Sequence, residues 1–197
     1  MSLRYAILGL LAREELSGYE ITKRFDESVG YFWFAHAQQI YPELARLERE
    51  GLVSSRLVRQ SGRPDKRLYR ISPEGLAALR QWVTTPSPPT LVKDEFLVKV
   101  YNYGFADPAA ALSALREHRQ RHEERLATYR AIETLFQVTD PNELPDETYG
   151  VYLTLTAGIA MESAFLEWCR TVEQLLAERA ARRAPGNAGR NRSSSAG

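Results

Sequence analysis

Residues 36–66 constrain this chain most tightly, because an amphipathic helix, a glycine stop and a strongly basic two-stranded ribbon must follow one another without a break. Ile40, Leu44 and Leu47 recur at i, i+4 and i+7, which predicts a helix over 37–50 with one apolar stripe facing a core. Gln38, Gln39, Ala45, Arg46 and Arg49 fall on the opposite face, where amides and guanidinium groups stand without a carboxylate. Side chains of these kinds read base edges and grip phosphates. Pro42 lacks the N–H that an interior helical residue donates, so the helix has to begin near Gln38, where only one bond is lost. Gly51 suits the left-handed residue that closes a helix. Residues 52–59 and 66–71 then read as two strands of a hairpin, joined by Gln60-Ser61-Gly62-Arg63-Pro64-Asp65.

Charge bears on that ribbon through its distribution, since the total of +1 says little. Between residues 56 and 70 the bases Arg56, Arg59, Arg63, Lys66, Arg67 and Arg70 face the single acid Asp65. Six such charges repel one another, and a polyanion would relieve the repulsion. The ribbon therefore reads as a basic wing; the alternative is a charged sheet edge that discourages strand pairing.

Upstream, residues 3–14 are apolar around most of a helical circumference and predict a helix buried on several sides. Ser17-Gly18-Tyr19-Glu20 is a capping box that opens a second helix through Val29, with Ile21 and Phe25 inward and Lys23 and Arg24 outward. Tyr31-Phe32-Trp33-Phe34 forms an aromatic connector, read either as core closure or as the wall of a small-molecule pocket. Downstream of the ribbon, Ser72 and Pro73 stand as N-cap and first residue of another helix, with Leu76, Leu79 and Val83 inward.

The three prolines of residues 84–90 preclude regular helix and mark a boundary. We expect a first domain over 1–85, a proline-rich linker over 86–92, a helical domain over 93–182 and a disordered tail over 183–197. Phe96, Leu97, Val100 and Tyr101 suggest a short amphipathic helix stopped by Gly104. Asp107-Pro108 starts a long helix running to about Phe136, whose middle, 116–125, has no aliphatic residue and reads as solvated and projecting. Asp146 caps a last helix from Glu147 to about Arg182, with Ile159, Leu166, Cys169, Val172 and Leu176 among its inward positions. Two helices joined by a turn cannot cover both their faces, so a second copy of the chain is the simplest cover. The fold class is thus mainly α with a small β-hairpin: an N-terminal winged helix-turn-helix domain followed by a C-terminal long-helix dimerisation domain.

Other chemistries lack their residues. His118 and His122 sit four apart and could share a metal, but no third ligand is evident, so they read as solvated helix residues. Cys169, the only cysteine, cannot form an intrachain disulfide and fits a reducing compartment; among Trp168, Leu166 and Val172 it reads as a buried thiol. There is no glycine-rich phosphate loop, and the N-terminal apolar run is too short to span a membrane. We expect a cytoplasmic protein with no cofactor and no enzymatic activity.

Ser17-Gly18-Tyr19-Glu20, Gln39-Ile40-Tyr41-Pro42-Glu43-Leu44, Leu47-Glu48-Arg49-Glu50-Gly51-Leu52-Val53, Gly62-Arg63-Pro64 and Tyr69-Arg70-Ile71-Ser72 occur in this order over residues 1–83. This pattern resembles the PadR family of transcriptional regulators, and the long C-terminal helices with Asp94-Glu95-Phe96-Leu97-Val98-Lys99 resemble its AphA-like branch. The resemblance implies a homodimer on a palindromic operator in double-stranded DNA, with the third helix in the major groove and the wing beside the backbone or in the minor groove. It implies phosphate contacts from Lys23, Arg24 and Tyr41, base contacts from Gln38, Gln39 and Arg46, and a wing of Arg63, Lys66 and Arg67. Arg49 is a further candidate, because Ala45 one turn back offers it no charge. A hydrophobic or aromatic effector would draw on Trp33, Trp82 or Trp168. A repressor is the leading expectation; the alternative is a helical protein-interaction module that no longer binds DNA.

Overall fold

Capping chemistry sets most element boundaries in the computed structural model, which describes residues 2–27, 36–59, 65–88, 93–138 and 140–183. The chain divides into two units, Met1–Pro89 and Thr90–Gly197. In the first, α1 (Ser2–Leu11) buries Ile7, Leu8, Leu10 and Leu11, as its apolar circumference requires. It ends three residues before the expected Glu14, and the reason lies far along the chain. Leu16 and Ser17 form a short strand, β1 (Leu16–Ser17), so the backbone must leave the helix early to reach its partner. The capping box follows directly: the Ser17 N–H donates to Glu20 Oε2 at 2.8 Å, and the Glu20 N–H donates to Ser17 Oγ at 3.3 Å. This opens α2 (Gly18–Glu27), which buries Ile21 and Phe25. Val29, Gly30 and the connector Tyr31-Phe32-Trp33-Phe34 lie outside the described residues.

The third helix, α3 (Ala37–Arg49), buries Ile40, Leu44 and Leu47 completely, and Pro42 in its second turn withholds one donor, from the Gln38 carbonyl. Gly51 has φ +74°, and its N–H donates to the Glu48 carbonyl while the Leu52 N–H donates to that of Leu47. This paired closure satisfies two carbonyls that the helix end leaves open. Strands β2 (Val53–Val58) and β3 (Lys66–Ile71) pair antiparallel from Val53↔Ile71 to Val58↔Lys66. β1 adds to the other edge of β3 through Leu16↔Tyr69 and Ser17↔Leu68, so the expected hairpin is in fact a three-stranded sheet in the order β1-β3-β2. Helix α4 (Pro73–Val83) begins with Ser72 Oγ accepting the Gly75 N–H at 2.9 Å. A Cβ on Gly75 would lie 2.1 Å from the Leu52 carbonyl oxygen, so only glycine lets the two segments approach. Leu79 packs on the core, but Val83 is 63% exposed, contrary to expectation; the helix instead stacks Trp82 on Tyr5, with ring centroids 4.4 Å apart.

In the second unit, Asp94 Oδ1 accepts the Phe96 N–H and starts α5 (Glu95–Tyr101), which buries Phe96 and leaves Tyr101 exposed. A 3-10 turn, Tyr103–Phe105, follows. Asp107 Oδ1 accepts the N–H groups of Ala109 and Ala110 and opens α6 (Pro108–Leu135). Helix α7 (Asp146–Arg183) packs along α6. Gly158 sits under the buried Tyr129 ring, where an added Cβ would be 2.9 Å from Cε2. Phe96, Leu115 and Cys169 form the core, flanked by Phe165, Trp168 and Val172. The middle of α6 is solvated on one face only: His118 and His122 are turned into this packing, and Glu162, 8% exposed, meets them from α7. Among the described residues, no helix is long and apolar enough to cross a membrane.

Candidate nucleic-acid interface

Because Ile40, Leu44 and Leu47 anchor one side of α3, its other side is presented outward as a rigid row. Gln38, Gln39, Tyr41, Arg46 and Arg49 are all exposed. Tyr41 rests its ring on Gly18 at the start of α2, where any Cβ would fall 2.4 Å from Cε1. That seat leaves the residue 50% exposed, neither core nor loose on the surface. Gln38 makes no side-chain hydrogen bond among the described residues. Gln39 differs, since its Oε1 accepts the His36 N–H at 3.2 Å and so caps its own helix, leaving the amide NH2 to reach outward. Arg49 Nε donates to the Ala45 carbonyl at 3.4 Å, and Arg49 makes no ion pair among the described residues. Arg46 is paired with Glu50, which also holds Arg4; both arginines keep the Glu50 carboxyl below its usual range.

On α2, Lys23 and Arg24 face outward, Arg24 at 2.9 Å from Glu14. Around the wing the charge pattern departs from the expected cluster of repelling bases. Arg56 donates to Glu15 at 2.7 Å, Lys66 to Glu20 at 2.6 Å, and Arg67 to both oxygens of Glu48 at 2.8 and 3.0 Å. Three of the six bases thus meet carboxylates from other elements, which removes much of the supposed repulsion. The Lys66 ammonium, then the Ser17 N–H, lower the Glu20 carboxyl to about 2. Arg59 and Arg70 are exposed and make no ion pair among the described residues. Arg63 lies outside the described residues. The ties of Glu20 to Lys66, of Glu48 to Arg67 and of Gly18 to the Tyr41 ring do not show in the sequence, because the partners lie 19 to 46 positions apart.

The remaining candidates among the described residues have packing roles within their own unit. Trp82 stacks on Tyr5, and Trp168 meets Phe96 edge-on and Phe165 at 5.2 Å; Trp33 lies outside the described residues. His118 stacks on Phe96, its Nε2 lies 3.1 Å from His122 Nε2, and His122 Nδ1 meets Glu162, which also accepts from Arg125 at 3.1 Å. Burial, then the neighbouring His122, pushes the His118 imidazole toward its neutral form. The pair reads as buried polar packing; among the described residues no group of three such side chains is arranged to hold a metal ion. Cys169 is fully buried, and burial raises its thiol above the ordinary range.

Comparison with known proteins separates the two units in the same order. The model of the PadR-like family of transcriptional regulators matches residues 7–81, and that of the C-terminal region of virulence activator alpha matches residues 92–177. A probable transcriptional regulator of Mycobacterium tuberculosis is 37% identical over 189 residues, 91% of this chain and 100% of that protein. The negative transcriptional regulator PadR of Bacillus subtilis is 34% identical over 172 residues, covering 86% of this chain and 94% of that one. Its structures with operator DNA and with p-coumaric acid match with TM-scores of 0.81 and 0.76 at 32% identity, over 89% and 90% of this chain and 99% of theirs. The Vibrio cholerae virulence activator AphA matches with a TM-score of 0.68 at 30% identity, over 91% of this chain and 98% of that chain.

Proposed function

The chain is a transcriptional regulator of the PadR-like family, and from that premise we propose that it represses a promoter by binding a palindromic operator as a homodimer. The observation that carries this reading is the outward row of α3, Gln38, Tyr41, Arg46 and Arg49, held by a fully buried stripe and flanked by a basic wing. A rigid helix with amides and guanidinium groups fits the major groove, where bidentate donors and acceptors distinguish base pairs. Gln38 and the free NH2 of Gln39 would choose bases with Arg46, while Lys23, Arg24, Tyr41 and Arg49 would hold phosphates. For Arg46 and Arg24 this means exchanging a carboxylate for a phosphate.

Pairing of two chains through the helices of residues 93–182 would set two such rows about 34 Å apart, one turn of duplex. A twofold assembly demands a twofold site, hence the palindrome. Repression is supported by the Bacillus subtilis relative, which is a negative regulator. Fluorescence anisotropy against double-stranded DNA from the chain's own upstream region tests the reading. Nanomolar, salt-sensitive binding with two chains per site is expected, and salt-insensitive or absent binding would overturn it. A second reading adds an aromatic effector, favoured by the p-coumaric acid in the Bacillus subtilis structure. Tryptophan quenching by hydroxycinnamic acids should then accompany a loss of operator affinity; quenching without that loss would refute the effector role.

A further inference from the structure

We infer that Lys66 and Arg67 clamp the wing to the helices beneath it, and that among the wing's described bases Arg59 is the one that holds DNA phosphate. The second half rests on the DNA-binding reading above; the first does not. Arg67 is already committed in several directions at once. Its Nε donates to Ser55 Oγ at 2.7 Å, its Nη2 to both Glu48 oxygens, and its guanidinium lies 5.5 Å over the Tyr69 ring. Ser55 Oγ in turn donates to Glu48 Oε1 at 2.6 Å, so α3, β2 and β3 are joined by one closed set of hydrogen bonds. Reaching a phosphate would trade a bidentate carboxylate for another anion and leave Glu48 uncompensated against the DNA.

Lys66 is held in the same way from the other side. Its ammonium meets Glu20 Oε1, while Glu20 Oε2 accepts from both the N–H and the hydroxyl of Ser17. The wing is therefore tied to α3 through Arg67 and to the N-terminus of α2 through Lys66, and the two ties fix the ribbon relative to the recognition helix. Arg56 is likewise engaged by Glu15. Arg59 follows the last residue of the edge strand β2, is exposed, and has no side-chain partner among the described residues. Arg70 is also without one, but it pairs in register with Ser54, at the far end of the ribbon from Arg59, roughly 13 Å along β3 from Lys66 at the usual rise per residue. It serves as the internal control.

Anisotropy titrations of the full-length chain on its upstream DNA, repeated across salt concentrations, test the division of roles. Arg59→Ala should lower the slope of log K against log salt by about 0.9 for each phosphate that the chain no longer neutralises, hence nearly two units for a dimer. Lys66→Met and Arg67→Met should leave the slope unchanged but lower Tm by a few degrees. Arg70→Ala should change neither. A flattened slope in Lys66→Met or Arg67→Met, or an intact one in Arg59→Ala, overturns the assignment. If the wild-type chain binds no DNA, the functional reading and the Arg59 role fall together. The clamp is then decided without DNA by thermal unfolding of Glu48→Gln, Arg67→Met and the double variant. Sub-additive losses of Tm support it, and strictly additive losses refute it.

Discussion

Glu20→Gln keeps the size of the side chain and one acceptor oxygen for Ser17 while exchanging the charged oxygen that meets Lys66 for an uncharged NH2, so it tests what ionisation contributes to the first unit. The carboxyl stands at about 2 in the folded chain against 4.5 for a free one, a difference that linkage converts to an upper bound of about 3 kcal/mol. The side chain is 36% exposed, so solvent screens its pairing with Lys66, and the expected loss in the variant is about 1 kcal/mol at pH 7. The sign is that of a depressed carboxylate. Stability is fully present above 4.5 and is lost as pH falls through the folded value near 2. By pH 3 the difference between wild type and variant should shrink to about two fifths of its neutral value, on the same linkage relation. Urea unfolding at several pH values between 7 and 3 measures it directly. A destabilisation that is equal at both ends of that range would refute the electrostatic account and leave only a loss of hydrogen-bond geometry.

Three further perturbations test other parts of the packing. Gly18→Ala drives a methyl group into the Tyr41 ring at 2.4 Å and should cost about 1–3 kcal/mol in thermal unfolding; adding Tyr41→Ala should recover most of it, and no recovery would place the strain elsewhere. Glu162→Ala strips the partner from His122 and Arg125 inside the α6/α7 packing, and because Arg125 is half-exposed and can turn to water the expected loss is about 2 kcal/mol, measured by denaturant unfolding. An unchanged midpoint would mean that the buried polar group adds nothing. Cys169 should resist a disulfide reagent at pH 7 until denaturant is added, since it is fully buried and its thiol is raised; rapid labelling of the native chain would contradict that burial.

What could be read from residue order is what short-range physics controls. The capping box at Ser17, the left-handed Gly51, Ser72 with Pro73, and Asp107 with Pro108 each settle an element end within four residues of themselves, and each is found where it was expected. The buried stripe of α3 follows in the same way from the period of Ile40, Leu44 and Leu47. β1 escapes a sequence reading because two residues carry no period, and its existence depends on pairing with Tyr69 and Leu68, some fifty positions later. His118 and His122 mislead for a related reason. Their own segment is polar throughout, and only the approach of Phe96 and Glu162 from α5 and α7 turns that face inward. The basic wing shows the difference most clearly. Its composition is plain, but charges interact through space, and the acids that decide which bases stay available lie on α2 and α3, at Glu20 and Glu48, in segments where nothing in the spacing points to Lys66 and Arg67.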